Sequence, residues 1–415
     1  MTPPPSASPP SSEPRADARL IIANLDCEQT WAGAAADALP LRLRRELAAL
    51  GTLLRVFARE GDVVWTPLPV RADRLATVTA GTLRLPLPAL RCGPDHALAA
   101  PTAILAWGET AAVQALRSAH PSPSSCSSTR STATPSSLVD RLWALPPADA
   151  AAAARVNHRF FQLALAQRLG VALPGARPVD SLPALEAAVA QLPADAEGHW
   201  VLKTTLSAAG RGRVIGGATD REGAARERRT AERLLARHGP LLFEPWMPRT
   251  ADLGCCALLG EEALTYLGTH ALAVTPGGGF RAVTLARAPA LPADDERRLR
   301  QLAEQLAEAL HAEGYRGPFG LDAWRYRDRH GRVVLQPLGE VNARMTFGLL
   351  ARALAERLAA ADLCASALTL RVGRRDRDAE GSSADGPPPI RLQLLNSHAA
   401  DELAVWIELA AAARR

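Results

Sequence analysis

Lys203 is the only lysine in the sequence, and every other basic side chain is arginine. A coding bias that replaces Lys by Arg wherever the chemistry tolerates it explains the arginines and leaves the exception unexplained. That exception ends an apolar run, Val201-Leu202-Lys203, and precedes a small-residue turn containing Ser207, Gly210 and Gly212. Glycines let the backbone approach an anion closely, and consecutive N–H groups in such a turn form an anion-binding concavity. An ammonium is a compact point charge suited to phosphate oxygens, which need charge more than planar geometry. The pattern is not a P-loop, where the lysine lies inside the glycine loop and before a helix. Taken alone, a lysine ahead of a glycine turn is more simply a solvated hairpin tip.

A second constellation lies downstream. Phe319-Gly-Leu-Asp322 and Gly339-Glu-Val-Asn-Ala-Arg344 both read as strands, separated by a turn at 328–331. Glu340 and Asn342 are two apart, so their side chains share one face of a strand, and Arg344 continues the row. With Asp322 on the partnering strand, three oxygen ligands would meet at one place. Mg²⁺ takes a few carboxylate and carbonyl oxygens and completes its octahedron with phosphates and waters. The plainer alternative is a solvated polar hairpin face. Leu335, Leu338 and Val341 argue against it by making the strand otherwise buried, and buried charges need partners.

The elements that would position these groups fit a chain of 415 residues with 47% apolar content, enough for more than one domain. The formal charge of +5 is spread over scattered arginines without interleaved aromatics, so no nucleic-acid footprint is expected. Residues 1–14 read as a disordered Pro/Ser-rich tail with neither the basic nor the apolar region of a signal peptide. No apolar run approaches the ~20 residues of a membrane span. Six cysteines (27, 92, 126, 255, 256 and 364) contain no C-x-x-C pair. Buried reduced thiols and a cytoplasmic setting are therefore expected, with Cys255 and Cys256 on opposite faces of a strand.

Strands at 19–24, 62–65 and 102–107 alternate with a helix at 39–54, predicting a small α/β domain over 15–117. A Ser/Pro-rich linker follows at 118–137. Helices are expected at 157–169 and 182–192. A lobe of strand 199–203, strand 213–216, helix 220–238 and strand 241–244 comes next. Then come a strand at 267–274, a helix at 295–313, the hairpin 319–341 and a helix at 346–361. The core module so defined spans 138–372. A second disordered stretch at 373–389 leads to a C-terminal strand and helix over 390–415.

In this order the motifs resemble the ATP-grasp superfamily, in the subset that includes biotin carboxylase, carbamoyl phosphate synthetase and the purine-pathway carboxylate–amine ligases. The resemblance runs from about Val156 to Leu358. Arg159 stands where that family usually has a first phosphate lysine, eleven residues before Gly170 of Leu169-Gly-Val-Ala-Leu-Pro-Gly175, and Lys203 matches the second. Phe243-Glu-Pro-Trp-Met247 looks like the hinge that reads adenine through backbone groups, which places Glu244, Trp246 and Met247 at the base, although a Trp beside a Pro is also often a core anchor. Ser207, Gly210 and Gly212 fall in the glycine-rich lid; Asp252, eight past Glu244, fits either a contact to the ribose hydroxyls or an ordinary loop carboxylate. Asp322, Glu340 and Asn342 fall on the metal positions, and Arg344 on the arginine that steadies substrate.

The fold implied is α/β and α+β: a small N-terminal pre-ATP-grasp-like domain, then two α+β lobes clamping the nucleotide. The chemistry implied is an ATP- and Mg²⁺- (or Mn²⁺-) dependent ligation of a small-molecule carboxylate to an amine or other nucleophile through an acylphosphate. Arg344 and Lys203 would be the catalytic side chains. A small-molecule kinase or a non-catalytic nucleotide-binding protein would use the same half-site, and both stay open, as does self-association into a homo-oligomer. No nucleic acid and no membrane partner are expected.

Two departures from the pattern stand out. Arg replaces Lys at 159, and Asp322 and Glu340 are eighteen residues apart, a spacing that requires a protruding turn. The bicarbonate-handling histidines and lysines of biotin carboxylase are not recognisable. Among single residues, His270 on its strand is most simply structural, and Trp31 and Trp107 are most simply packing residues.

Overall fold

The structure is a computed structural model that describes residues 17–35, 37–76, 83–93, 101–120, 137–207, 211–275, 277–287, 291–363, 365–374, 389–399 and 402–410. The expected tail, most of both expected linkers, Gly210, Cys126 and Cys364 lie outside the described residues.

Strands β1 (Leu20–Ile22), β2 (Val63–Thr66), β3 (Ala89–Cys92) and β4 (Ile104–Ala106) form a parallel sheet in the order β3-β2-β1-β4. A parallel strand covered on both faces must be apolar throughout, as Leu20-Ile21-Ile22 is. Ile21, Val64 and Leu105 face a core shared with α2 (Leu41–Gly51), while Leu20, Ile22 and Val63 face Val113 of α3 (Ala111–Ala119). A short helix, α1 (Cys27–Trp31), follows β1 and places Glu28 beside the next module.

Helices α4 (Leu138–Ala144), α5 (Ala150–Asn157) and α6 (Arg159–Arg168) lead into a small antiparallel lobe. It comprises β5 (Arg177–Val179), β6 (Trp200–Lys203), β7 (Arg213–Gly216) and β8 (Leu241–Pro245), ordered β5-β8-β6-β7. Two helices, α7 (Leu182–Val189) and α8 (Arg221–His238), cover it, each started by a side-chain cap: Ser181 on the Ala184 amide and Asp220 on the Gly223 amide. Although α8 is mostly charged, its stripe of Ala231 and Leu235 packs on Trp200, Leu202 and Phe243.

The large lobe is an eight-stranded antiparallel sheet of β9 (Arg249–Leu259), β10 (Leu264–Val274), β11 (Phe280–Ala286), β12 (Gly317–Arg327), β13 (Val333–Asn342), β14 (Ala367–Arg374), β15 (Ile390–Leu395) and β16 (Leu403–Ala410). Its order is β13-β12-β9-β10-β11-β14-β16-β15. One face carries α9 (Ala293–Ala312) and the other α10 (Phe347–Ala360). Cys255 points into the α9 core and Cys256 into the α10 core, the opposite-face arrangement expected of neighbours on a strand. Among the described cysteines all are free, but Cys92 is exposed rather than buried.

The C-terminal segment corrects an expectation. Residues 403–410 form strand β16, not a helix, paired with β14 on one side and β15 on the other. Val405, Ile407 and Leu409 face the core in alternation, a period-two signal hidden by the alanines around it. These last strands also tie the first domain to the large sheet. The buried Arg55 donates to the carbonyls of Ala76 (2.7 Å) and Leu394 (3.1 Å), and Leu75 bridges Leu395. No helix among the described residues is long and apolar enough to cross a membrane.

Candidate functional site

The end of β6 delivers Lys203 to a cleft between the two lobes, where it ion-pairs with Glu244 of β8. Both are buried, at 8% exposure each, so either charge left alone there would be costly. Arg159, the first residue of α6, reaches the same place. Its guanidinium donates to the Thr204 carbonyl (2.6 Å), the Ser207 hydroxyl (3.0 Å) and the Ser207 carbonyl (3.2 Å). It also pairs with Glu340 at 2.9 Å, linking the turn after β6 to β13. Gly212 holds the lid's return: its φ is +62°, and a Cβ there would lie 2.4 Å from Thr204 Oγ1.

Across the cleft, Asp322 and Glu340 are register partners on β12 and β13, so their carboxylates share one face. Asn342, two residues on, donates from Nδ2 to Asp322 Oδ2 at 3.2 Å. The long spacing has a structural cause. Between the Trp324–Gln336 and Asp322–Glu340 pairs the ladder slips, so Pro337, Leu338 and Gly339 form a bulge on β13. Proline is tolerated in a strand at such a bulge, and bulges re-aim the side chains that follow. Gly339 is essential to this one, because a Cβ there would lie 1.9 Å from the Trp324 ring. Gly339→Ala is expected to destabilise the fold by about 1–3 kcal/mol through this overlap and to turn Glu340 off its face. Urea midpoints and metal dependence measured on the variant check both.

Burial and the neighbouring Glu340 charge push the Asp322 carboxyl up to about 7. Burial would raise Glu340 as well, but Arg159, Lys203 and Arg344 hold it below its ordinary value. Two half-buried carboxylates and a buried amide meeting on one face, one acid displaced upward in part by the other, form a donor set that a hard cation would satisfy. Among the described residues no three His, Cys, Asp or Glu side chains cluster. The small set leaves room for phosphate and water oxygens, which suits Mg²⁺ or Mn²⁺ completed by a nucleotide.

Arg344 does not continue the strand row: β13 ends at Asn342, and Arg344 sits in a bend where its amide donates to the Asn342 carbonyl at 2.9 Å. It ion-pairs with Glu28 of α1, donates to Asn342 Oδ1 (2.9 Å) and to the Met345 carbonyl (2.9 Å), and lies 5.5 Å from the Trp107 ring. The first domain is fixed to this spot by its strand ends. The Asn24 side chain brackets Gly108 with bonds of 2.7 and 3.1 Å, and the Met345 amide donates to the Trp107 carbonyl at 2.9 Å. Ligands of parallel sheets bind outside the carboxyl ends of the strands, which here face Arg344.

Of the residues expected from sequence, Arg159, Lys203, Ser207, Glu244, Asp252, Asp322, Glu340, Asn342 and Arg344 all line the cleft. Trp246 and Met247 do not line it. The Trp246 amide is taken by the His199 carbonyl (3.0 Å), and its ring lies against Arg249 at 4.5 Å. Met247 is buried with Leu173, Ala196 and Trp324. Asp252 pairs with Arg249 at 2.8 Å.

Sequence reasoning missed Glu28, Arg211, Arg213 and Arg249. The two arginines flanking Gly212 were legible as lid cations; Glu28, 316 residues from its partner, had no local signal.

His270 lines the cavity wall yet is only 6% exposed, and its Nδ1 has no hydrogen-bond partner. Burial, and secondarily Arg352, bring its pKa down to about 3. The folded state therefore keeps it neutral below pH 6.5, where the unfolded chain takes up the proton. Stability is expected to fall as pH drops from 6.5 towards 4, by up to about 1.4 kcal/mol per pH unit from this group. Urea midpoints at pH 6.5 and 4.5 should separate less in His270→Gln than in the unaltered chain.

No family model and no curated protein matches the chain. Solved structures do. N5-carboxyaminoimidazole synthetase from Staphylococcus aureus, complexed with ADP, is similar over 96% of this chain and 94% of its own, with TM-score 0.53 and 10% identity. N5-carboxyaminoimidazole ribonucleotide synthetase from Thermus thermophilus is similar over 95% and 94%, with TM-score 0.51 and 15% identity. Biotin carboxylase from Campylobacter jejuni, in a β-γ-ATP complex, covers 94% and 87%, with TM-score 0.52 and 13% identity. The chain therefore has the ATP-grasp fold preceded by a small pre-ATP-grasp-like α/β domain, as the order of its motifs implied.

Proposed function

We propose that the chain is an ATP- and Mg²⁺-dependent ligase that joins a carboxylate to an amine, or to another nucleophile such as a thiol, and releases ADP and phosphate. The observation that carries this reading is the convergence of Lys203 from the small lobe and Arg159 from the start of α6 with Asp322, Glu340 and Asn342 of the large sheet on a single cleft. The adenine would enter the slot lined by Leu163, Leu173, Leu242 and Leu338, whose polar end is Lys203 and Glu244. The pair Lys203–Glu244 would then open so that the ammonium meets phosphate.

Asp322, Glu340 and Asn342 would hold Mg²⁺ or Mn²⁺, which supplies charge to the phosphates. A substrate carboxylate oxygen attacks the γ-phosphorus, and the bond from that phosphorus to the β,γ-bridging oxygen breaks, leaving ADP and an acylphosphate. The amine then attacks the acyl carbon, the carbon–oxygen bond to phosphate breaks, and the amine gives up a proton. Such transfer needs positioning and charge neutralisation more than covalent help. Arg344 would orient the carboxylate in exchange for Glu28, and the lid from Thr204 to Arg213 would exclude the water that hydrolyses an acylphosphate. The setting proposed is the cytoplasm, in keeping with the free thiols of Cys27, Cys92, Cys255 and Cys256.

Incubation with ATP, Mg²⁺ and pools of carboxylates, with and without amines, tests the reading. Phosphate release that requires both co-substrates is expected. A stable phosphorylated product would replace the ligase by a kinase, and ATP binding without turnover by a nucleotide sensor.

A further inference from the structure

We propose that the acceptor arm of the cleft takes a carboxylate carrying an apolar body, such as an amino acid with an aliphatic or aromatic side chain. This rests on the ligase reading and specifies its substrate class. The cavity of about 510 Å³ that contains the metal strand's face extends past Arg344 to the first domain. There its wall is made by Leu43, Leu47 and Leu50 of α2, Trp107, Phe280 of β11 and Phe347 of α10. Leu43, Leu50, Phe280 and Phe347 are only partly buried, resting on the core beneath and leaving apolar surface towards the cavity. Phe280 and Phe347 stack at 4.6 Å with 12° between their planes, and Trp107 lies 5.5 Å from Phe347, giving a continuous aromatic shelf.

A sugar phosphate or a small anion would need donors on this wall. The one charged group that α2 adds to the cavity is Glu46, a carboxylate that repels phosphate and already pairs with Arg374 at 2.7 Å. Apolar surface beside a catalytic cleft is stabilised by an apolar occupant. The polar head has its own place at the near end of the arm. Arg344 is there with Glu28, and the lid's Arg211, whose buried Nε has no partner, feels both of their charges. A carboxylate head meeting Arg211 and Arg344 would lay its body along the shelf, and an α-ammonium would find Glu28.

Calorimetric titration of the full chain, with Mg²⁺ and a non-hydrolysable ATP analogue present, tests this directly. The probes are butanoate, pentanoate, hexanoate, L-leucine and L-phenylalanine, against L-aspartate, bicarbonate and ribose 5-phosphate. The apolar probes are expected to bind at least tenfold more tightly, with about a fourfold gain per methylene from butanoate to hexanoate. Leu50→Asp and Phe347→Gln should each abolish the methylene dependence, with nucleotide affinity as the control for folding. Tighter binding of the polar probes, or binding of none, overturns the inference. Phosphate release with an amine pool is read separately. Leucine that binds without supporting release removes the ligase reading and keeps the pocket, whereas release driven by aspartate alone keeps the ligase and removes the pocket.

Discussion

Lys203→Ala is expected to weaken ATP binding by about ten- to a hundredfold, the range of a charged hydrogen-bonding group lost from a buried site. The same change leaves Glu244 as a buried carboxylate without its partner. Breaking a buried ion pair from one side costs about 3–5 kcal/mol, so the variant should also unfold at lower denaturant. That second effect would confuse the first, and a double variant separates them. Lys203→Met with Glu244→Leu replaces the pair by apolar groups of similar size, which is often neutral for stability. Recovered stability with ATP affinity still lost assigns Lys203 to phosphate. Recovered ATP affinity would remove it from the site and leave it a structural partner of Glu244.

Glu340→Gln is expected to lower ATP-dependent phosphate release by about a hundredfold or more, the scale of removing one charged stabiliser from a phosphoryl-transfer site. It should also shift the Mg²⁺ requirement to higher concentration. Glutamine keeps the shape and an oxygen for Arg159, so the lid contact at 2.9 Å has a substitute. The charge is what disappears. In the unaltered chain that charge is secure at neutral pH: burial opposes it, but Arg159, Lys203 and Arg344 outweigh the burial. An unchanged Mg²⁺ titration in Glu340→Gln would overturn the metal assignment and return the residue to a link between Arg159 and the sheet.

How much of this was legible along the chain depended on whether the cause was local. The strand ending at Lys203, the return at Arg213–Gly216 and the shared face of Glu340 and Asn342 have causes within a few residues and appear where the spacing placed them, whereas β13 ends at Asn342 and Arg344 sits in the bend beyond it. Residues 403–410 illustrate the opposite case. Their alanines and leucines fit either structure, and the free edges of β14 and β15 decided for a strand by supplying backbone partners on both sides. Trp246 also had no local determinant: its amide is held by the His199 carbonyl, 47 positions back, and its ring lies against Arg249.

The sequence by itself determined the chemistry available to this protein: one ammonium before a glycine turn, two carboxylates and an amide on facing strands, and the order of motifs that carries an ATP-grasp fold. Tertiary structure alone decided what each charge meets. The bulge at Pro337–Gly339 turned an eighteen-residue separation into direct register between Asp322 and Glu340. Packing of the first domain on the β13–α10 junction brought Glu28 to Arg344 and set an aromatic shelf beyond them. Electrostatic and apolar contacts of this kind depend on distances in space, and residues hundreds of positions apart acquire such distances only when the lobes close on one another.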